Sequence, residues 1–193
     1  MKRLLFALLV PLATTLAAWA GPQIRLTTEL GAIEAELHAD QAPVTVANFL
    51  KYVDAGRYTG GVFHRTVKLN PDNQPHSTVK IEVIQGGVNP DFAEKDWPPL
   101  ALERTRDTGL KHLDGTLSMA RAGPDTATSD FFICLGAQPE LDFGGKRNPD
   151  GQGFAAFGRV TKGLEIVKKI QTAPAEGQKL TPAIRILKIE RLP

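Results

Sequence analysis

The chain is 193 residues long, with 23 lysines and arginines, 21 aspartates and glutamates, and one cysteine. Lys2 and Arg3 account for the whole positive excess, so the remainder is balanced and implies no basic surface for nucleic acid or an anionic membrane. A lone cysteine excludes an internal disulfide and leaves stability to packing.

Residues 1–20 read as a cleavable signal peptide. Lys2 and Arg3 form the positive start, Leu4 to Val10 is unbroken apolar, and Ala18-Trp19-Ala20 has the small-x-small pattern of a cleavage site after Ala20. Pro11, Thr14 and Thr15 break the run below the ~20 apolar residues of a membrane helix, so stable membrane insertion is not expected. Export, to the periplasm, is expected instead. Residues 21–193 then form a single domain with a sizeable core.

Gln23 to Leu30 alternates Ile24 and Leu26 with Arg25 and Thr27, and Ala32 to His38 places Ile33, Ala35 and Leu37 on one face. Two such runs around Gly31 predict a hairpin. Pro43 suits the first turn of a helix, and Val46, Phe49, Leu50 and Val53 give that helix one apolar face up to Gly56. Strand patterns recur at Val62 to Val67, Thr78 to Gln85, Gly115 to Ala120, Asp130 to Leu135 and Phe154 to Val160. A second helix fits Leu164 to Ile170, and a final strand Ala183 to Leu192. Lys68 to Ser77 and Phe143 to Gln152 are polar and turn-rich, and are predicted to be surface loops. The pattern predicts a mainly β domain of about eight strands, with a closed antiparallel barrel and a sandwich both allowed by periodicity.

The distinctive blocks come in a fixed order: Phe63-His64-Arg65, Gln85-Gly86-Gly87, the stretch Leu117 to Cys134 (LSMARAGPDTATSDFFIC), and Phe157-Gly158-Arg159-Val160. This series resembles the cyclophilins, a family of peptidyl-prolyl cis-trans isomerases, over roughly residues 22–192. The resemblance implies a closed eight-stranded antiparallel barrel with a helix capping each end. It also implies catalysis of Xaa-Pro rotation during the folding of exported proteins, with no metal, cofactor or covalent intermediate. The implied partners are proline-containing unfolded or partly folded polypeptides, met by a monomer.

By the same resemblance Arg65 is the catalytic donor, and Gln85 orients the arginine and the substrate. Phe132 is the floor of the proline pocket, with Phe131 facing the core, since neighbours on a strand face opposite sides. Val83 takes the pocket position that is often methionine, Leu141 completes the apolar wall, and the backbone at Ala120 and Arg121 lines the peptide groove. This chain departs from the family at several positions. Arg121 replaces the usual asparagine, Asp130 a frequent glutamine, Phe154 a rim histidine, and Glu140 a frequent tryptophan, from which weak cyclosporin binding is expected. Glu82 stands where phenylalanine is common and is free to pair with Arg65, with a lysine, or with water.

Rival chemistry finds little support. His38, His64, His76 and His112 lack metal-ligand spacing, and no G-x-S-x-G elbow occurs. Gly144-Gly145-Lys146-Arg147 lacks the Ser/Thr and the spacing of a phosphate loop. His64, next to Arg65 on a strand, is expected to point into the core. Cys134, with Met119, reads as barrel packing. The alternative from another functional class is a non-catalytic cyclophilin-like chaperone or binder of proline-containing segments.

Overall fold

A computed structural model describes residues 21–193; the expected signal segment lies outside the described residues. β1 (Gln23–Thr28) and β2 (Gly31–Leu37) form the expected hairpin, with Ile24, Leu26, Ile33 and Leu37 all but fully buried. Gly31 takes φ 137° at the turn, and the Thr28 hydroxyl donates to its carbonyl at 2.9 Å.

The remaining strands are β3 (Val62–Val67), β4 (Val83–Gly87), β5 (Thr116–Met119), β6 (Phe131–Cys134), β7 (Ala156–Lys162), β8 (Ala175–Glu176) and β9 (Lys179–Arg191). They pair antiparallel in the order β1-β2-β7-β5-β6-β4-β3-β9, and β9 returns to pair with β1. The barrel of eight strands is therefore closed, and β8 is a two-residue addition beside β9.

Helix α1 (Pro43–Asp54) starts on Pro43 and buries Val46, Phe49, Leu50 and Val53, as the spacing predicted. Ala42 has no capping oxygen, so Glu103 supplies one from a distant loop, accepting from Val44 N–H at 3.1 Å and Thr45 N–H at 2.7 Å. A single turn, α2 (Thr105–Thr108), was not foreseen. Helix α3 (Leu164–Gln171) adds Ile166, Val167 and Ile170 to the same core as α1. In that core the Phe49 ring packs against Tyr58, Phe131 and Phe157 at 5.0–5.5 Å between centroids.

One strand assignment fails. Thr78 to Glu82 is irregular, and β4 begins only at Val83 and runs on to Gly87. The buried Gln74 side chain stands in for a strand partner there: its amide donates to Ile81 O at 2.8 Å and accepts from Ile81 N–H at 3.1 Å. The segment's backbone groups are thus satisfied by side chains, which an alternating pattern cannot reveal. The stretches 68–77 and 143–152 are outside the main strands, as expected.

Candidate active site

The outer faces of β3, β4 and β6 carry a groove whose cavity measures about 780 Å³. Strand parity puts Phe131 and Ile133 in the central core, and Phe132 and Cys134 in a second, smaller apolar cluster outside the barrel wall. That cluster also holds Val67, Ile81, Val83, Leu141 and Phe154, with Ala120 against it. Cys134 is buried as expected, but in the cluster beneath the groove and not in the central core, and burial pushes its thiol up. The Phe132 and Phe154 rings meet edge to face at 5.4 Å, making an apolar corner.

Parity breaks in β3. Phe63 pairs with Gly86 and Arg65 with Gln85, so two residues of β3 answer one step of β4. This bulge sends both His64 and Arg65 to the groove side. His64 does not enter the core as expected; its ring reaches to 3.6 Å from the Asp130 carboxylate.

Arg65 is half-buried and held on two sides. Its Nη1 donates to Gln85 Oε1 at 3.0 Å, while Nε and Nη2 donate to Gln178 Oε1 at 2.9 and 2.7 Å. Burial, with the nearby Arg147 charge added, lowers its pKa, yet a guanidinium stays charged at neutral pH. Gln85 in turn donates through Nε2 to Asp130 Oδ2 at 3.1 Å, which points its Oε1 at Arg65. Burial pushes the Asp130 carboxyl up, and Asp96 adds to this, while His64 and Gln85 oppose it.

Gln178 escaped the sequence reading because the last strand was expected to start at Ala183. It lies in the turn between β8 and β9, where β9 pairs Lys179 with Arg65, and its Nε2 is anchored on Asn73 O at 3.1 Å. A Gly177-Gln178 turn between two short β-like runs was the available signal. Also missed was the far arm of the groove around Asp96, which accepts from the Thr128 and Ser129 hydroxyls at 2.6 and 3.0 Å.

The nine residues singled out from the sequence (Arg65, Val83, Gln85, Ala120, Arg121, Asp130, Phe132, Leu141 and Phe154) all border this one cavity. Phe131 does not, being fully buried in the core.

Comparison with known proteins gives the family of the fold. The family model described as Cyclophilin type peptidyl-prolyl cis-trans isomerase/CLD matches residues 23–191. The chain belongs to the cyclophilin-type peptidyl-prolyl cis-trans isomerases. Peptidyl-prolyl cis-trans isomerase A of Dickeya dadantii is 37% identical over 181 residues, covering 91% of this chain and 87% of the relative. Peptidyl-prolyl cis-trans isomerase cyp18 of Streptomyces antibioticus is 35% identical over 164 residues, covering 82% and 90%. Among solved structures, a cyclophilin-type isomerase of Cryptosporidium parvum superposes with TM-score 0.71 at 26% identity, over 89% of this chain and 98% of that one. The same Cryptosporidium protein has been solved in the presence of the dipeptide Ala-Pro.

This cyclophilin also contains a Ser-His-Asp chain. His112 Nδ1 lies 2.8 Å from Asp142 Oδ1, and Nε2 lies 2.9 Å from Ser118 Oγ. It is sealed: Ser118 is 0% exposed and His112 1%, with the His112 ring stacked 6.0 Å behind Phe132. No substrate carbonyl reaches that serine, so the chain braces the pocket floor and is not a hydrolytic site.

Arg121 differs from a solvated surface arginine. Its side chain is only 1% exposed, pairs with both Asp150 oxygens at 2.8 and 2.9 Å, and lies 4.9 Å over the Phe154 ring. The arginine and Phe154 therefore form one rigid rim. Among the described residues Glu82 pairs with neither Arg65 nor a lysine; it accepts from Gln171 Nε2 at 3.2 Å. Glu140 turns to the Lys146 N–H at 2.8 Å and does not border the cavity.

Proposed function

We propose that this cyclophilin rotates Xaa-Pro bonds by seating the proline ring on Phe132, Phe154, Val83 and Leu141 and by donating from Arg65 to the prolyl imide nitrogen. The uncatalysed barrier, ~18–20 kcal/mol, comes from resonance between that nitrogen and its carbonyl. As the bond twists, the nitrogen regains its lone pair, and a donor aimed there stabilises the twisted state more than either planar isomer. The carrying observation is that the half-buried Arg65 stands over an apolar wall with only neutral amides as partners. Three of its five N–H groups are used by Gln85 and Gln178, which leaves two for substrate. Gln85, and Asp130 behind it, hold the fork in place; the backbone at Ala120 and Arg121 lines the path of the peptide. That the Cryptosporidium relative was solved in the presence of Ala-Pro supports a proline ligand for this groove.

The clients in this reading are exported proteins folding in the periplasm, met by a monomer after removal of residues 1–20. Its support is the charged start, apolar run and Ala18-Trp19-Ala20 site.

The test is NMR exchange in a Xaa-Pro tetrapeptide with purified protein. Arg65→Ala is expected to slow exchange on the order of 10²-fold, while peptide still binds through the apolar pocket. Wild-type exchange rates in Arg65→Ala would sink the assignment of the donor.

A further inference from the structure

The loop 143–152 brings a second arginine to the groove. Glu140 organises it: the carboxylate accepts from Lys146 N–H at 2.8 Å and the carbonyl from Arg147 N–H at 3.1 Å. The fit is close, since a Cβ on Gly145 would stand 2.5 Å from Glu140 O. Arg147 then spans to the irregular segment before β4, where Nη1 donates to Val79 O at 2.6 Å and meets Gln74 Oε1 at 3.4 Å. Its half-buried guanidinium borders the same cavity as Arg65 and Phe132.

The partners of Arg147 are neutral, as are those of Arg65. The neighbouring carboxylates are engaged elsewhere: Asp150 with Arg121, Asp130 with Gln85, Glu140 with its own loop, Glu82 with Gln171. Among the described residues no carboxylate lies within ion-pair distance of Arg147. Two half-buried cations thus face one cavity without a counter-charge, and burial disfavours both. Asp96 and Asp130 border the same cavity, so the groove carries acidic as well as cationic side chains.

We propose that Arg147 is a specificity-determining residue that seats the carboxylate of an acidic side chain flanking the proline, giving this cyclophilin a preference for acidic proline segments. The proposal rests on the isomerase reading of the groove. An anion at that position completes the fork of Arg147 with charge-assisted hydrogen bonds and relieves the repulsion between the two guanidiniums.

The experiment compares capped Ala-Ala-Pro-Glu and Ala-Glu-Pro-Ala peptides with their glutamine counterparts, reading both exchange rate and binding by NMR. The full chain without residues 1–20, the described domain, is used. In one of the two registers the glutamate peptide is expected to exceed its glutamine partner on the order of tenfold in kcat/KM at low salt. That ratio should shrink as salt rises. It should fall to near one in Arg147→Gln and be largely kept in Arg147→Lys. Ratios taken within one protein cancel any general loss of folded material or turnover. Equal treatment of glutamate and glutamine in both registers, or a preference that survives Arg147→Gln, would overturn the proposal. Absent exchange with every peptide would instead strike at the isomerase reading, and the binding ratios would still decide the role of Arg147.

Discussion

In the proposed mechanism Arg65 works only in the attitude its neighbours give it, and two amides share that task. Gln85 holds Nη1, and Gln178 takes both Nε and Nη2 on one oxygen. Losing Gln178 leaves the guanidinium free to swing about a flexible stem, so kcat for Gln178→Ala is expected to fall about tenfold, with KM little changed. Gln178→Glu tests the same point differently. A carboxylate there would hold the fork firmly but draw its charge away from the substrate, so kcat should again fall while melting temperature holds. Wild-type kcat in both variants would remove Gln178 from the positioning role. Arg65 itself was legible because its motif is local. Gln178 was not, because its contact with Arg65 spans 113 residues and depends on a hairpin too short to show an alternating pattern.

At the scale of the strand, two local devices decide which side chains reach the groove. Along β6 an uninterrupted ladder lets parity alone assign Phe131 inward and Phe132 outward, and the sequence suffices. Along β3 the bulge adds one residue, and parity misplaces His64; alternation cannot report an insertion whose residues are ordinary. The second device is Gly87. A Cβ there would stand 1.9 Å from Asp130 Oδ1, so the missing side chain makes room for the carboxylate that orients Gln85. Gly87→Ala is expected to push the Asp130 carboxylate aside, free the Gln85 amide and lower kcat several-fold. The displaced atom ends a short side chain, so the stability loss should stay near 1 kcal/mol. Isomerisation rate and urea midpoint, measured together, check this, and a large stability loss with unaltered kcat per folded molecule would contradict it.

Over the whole molecule, core and site are separate clusters on two faces of one wall, and the buried Ser118-His112-Asp142 chain stacks behind Phe132. Burial opposes ionisation of Asp142, but the His112 ring and backbone N–H outweigh it and hold the carboxyl below its usual range. A depressed folded pKa gives stability that is present above the unfolded carboxylate pKa, ~3.9, and is lost as pH falls through the folded value. Asp130 has the opposite sign: its raised carboxyl withdraws stability as pH rises through its folded pKa. Asp142→Asn is therefore expected to cost about 2 kcal/mol in urea unfolding at pH 7, with the gap to wild type closing as pH falls from the unfolded carboxylate pKa through the lower folded one. A gap independent of pH would refute the assignment. The barrel was legible through its motifs more than its periodicity, which suggested a barrel but also admitted a sandwich. Closure depends on β1 meeting β9, a pairing between the two ends of the domain that no local pattern encodes.

That closure bears on the company this protein keeps. Unfolded chains carry unpaired backbone N–H and C=O groups and add readily to any sheet that offers a free edge. With β1 bonded on both sides, the one strand with an open side among the described residues is β8, two residues long. A proline isomerase built this way offers a peptide a groove to visit and almost no strand to join.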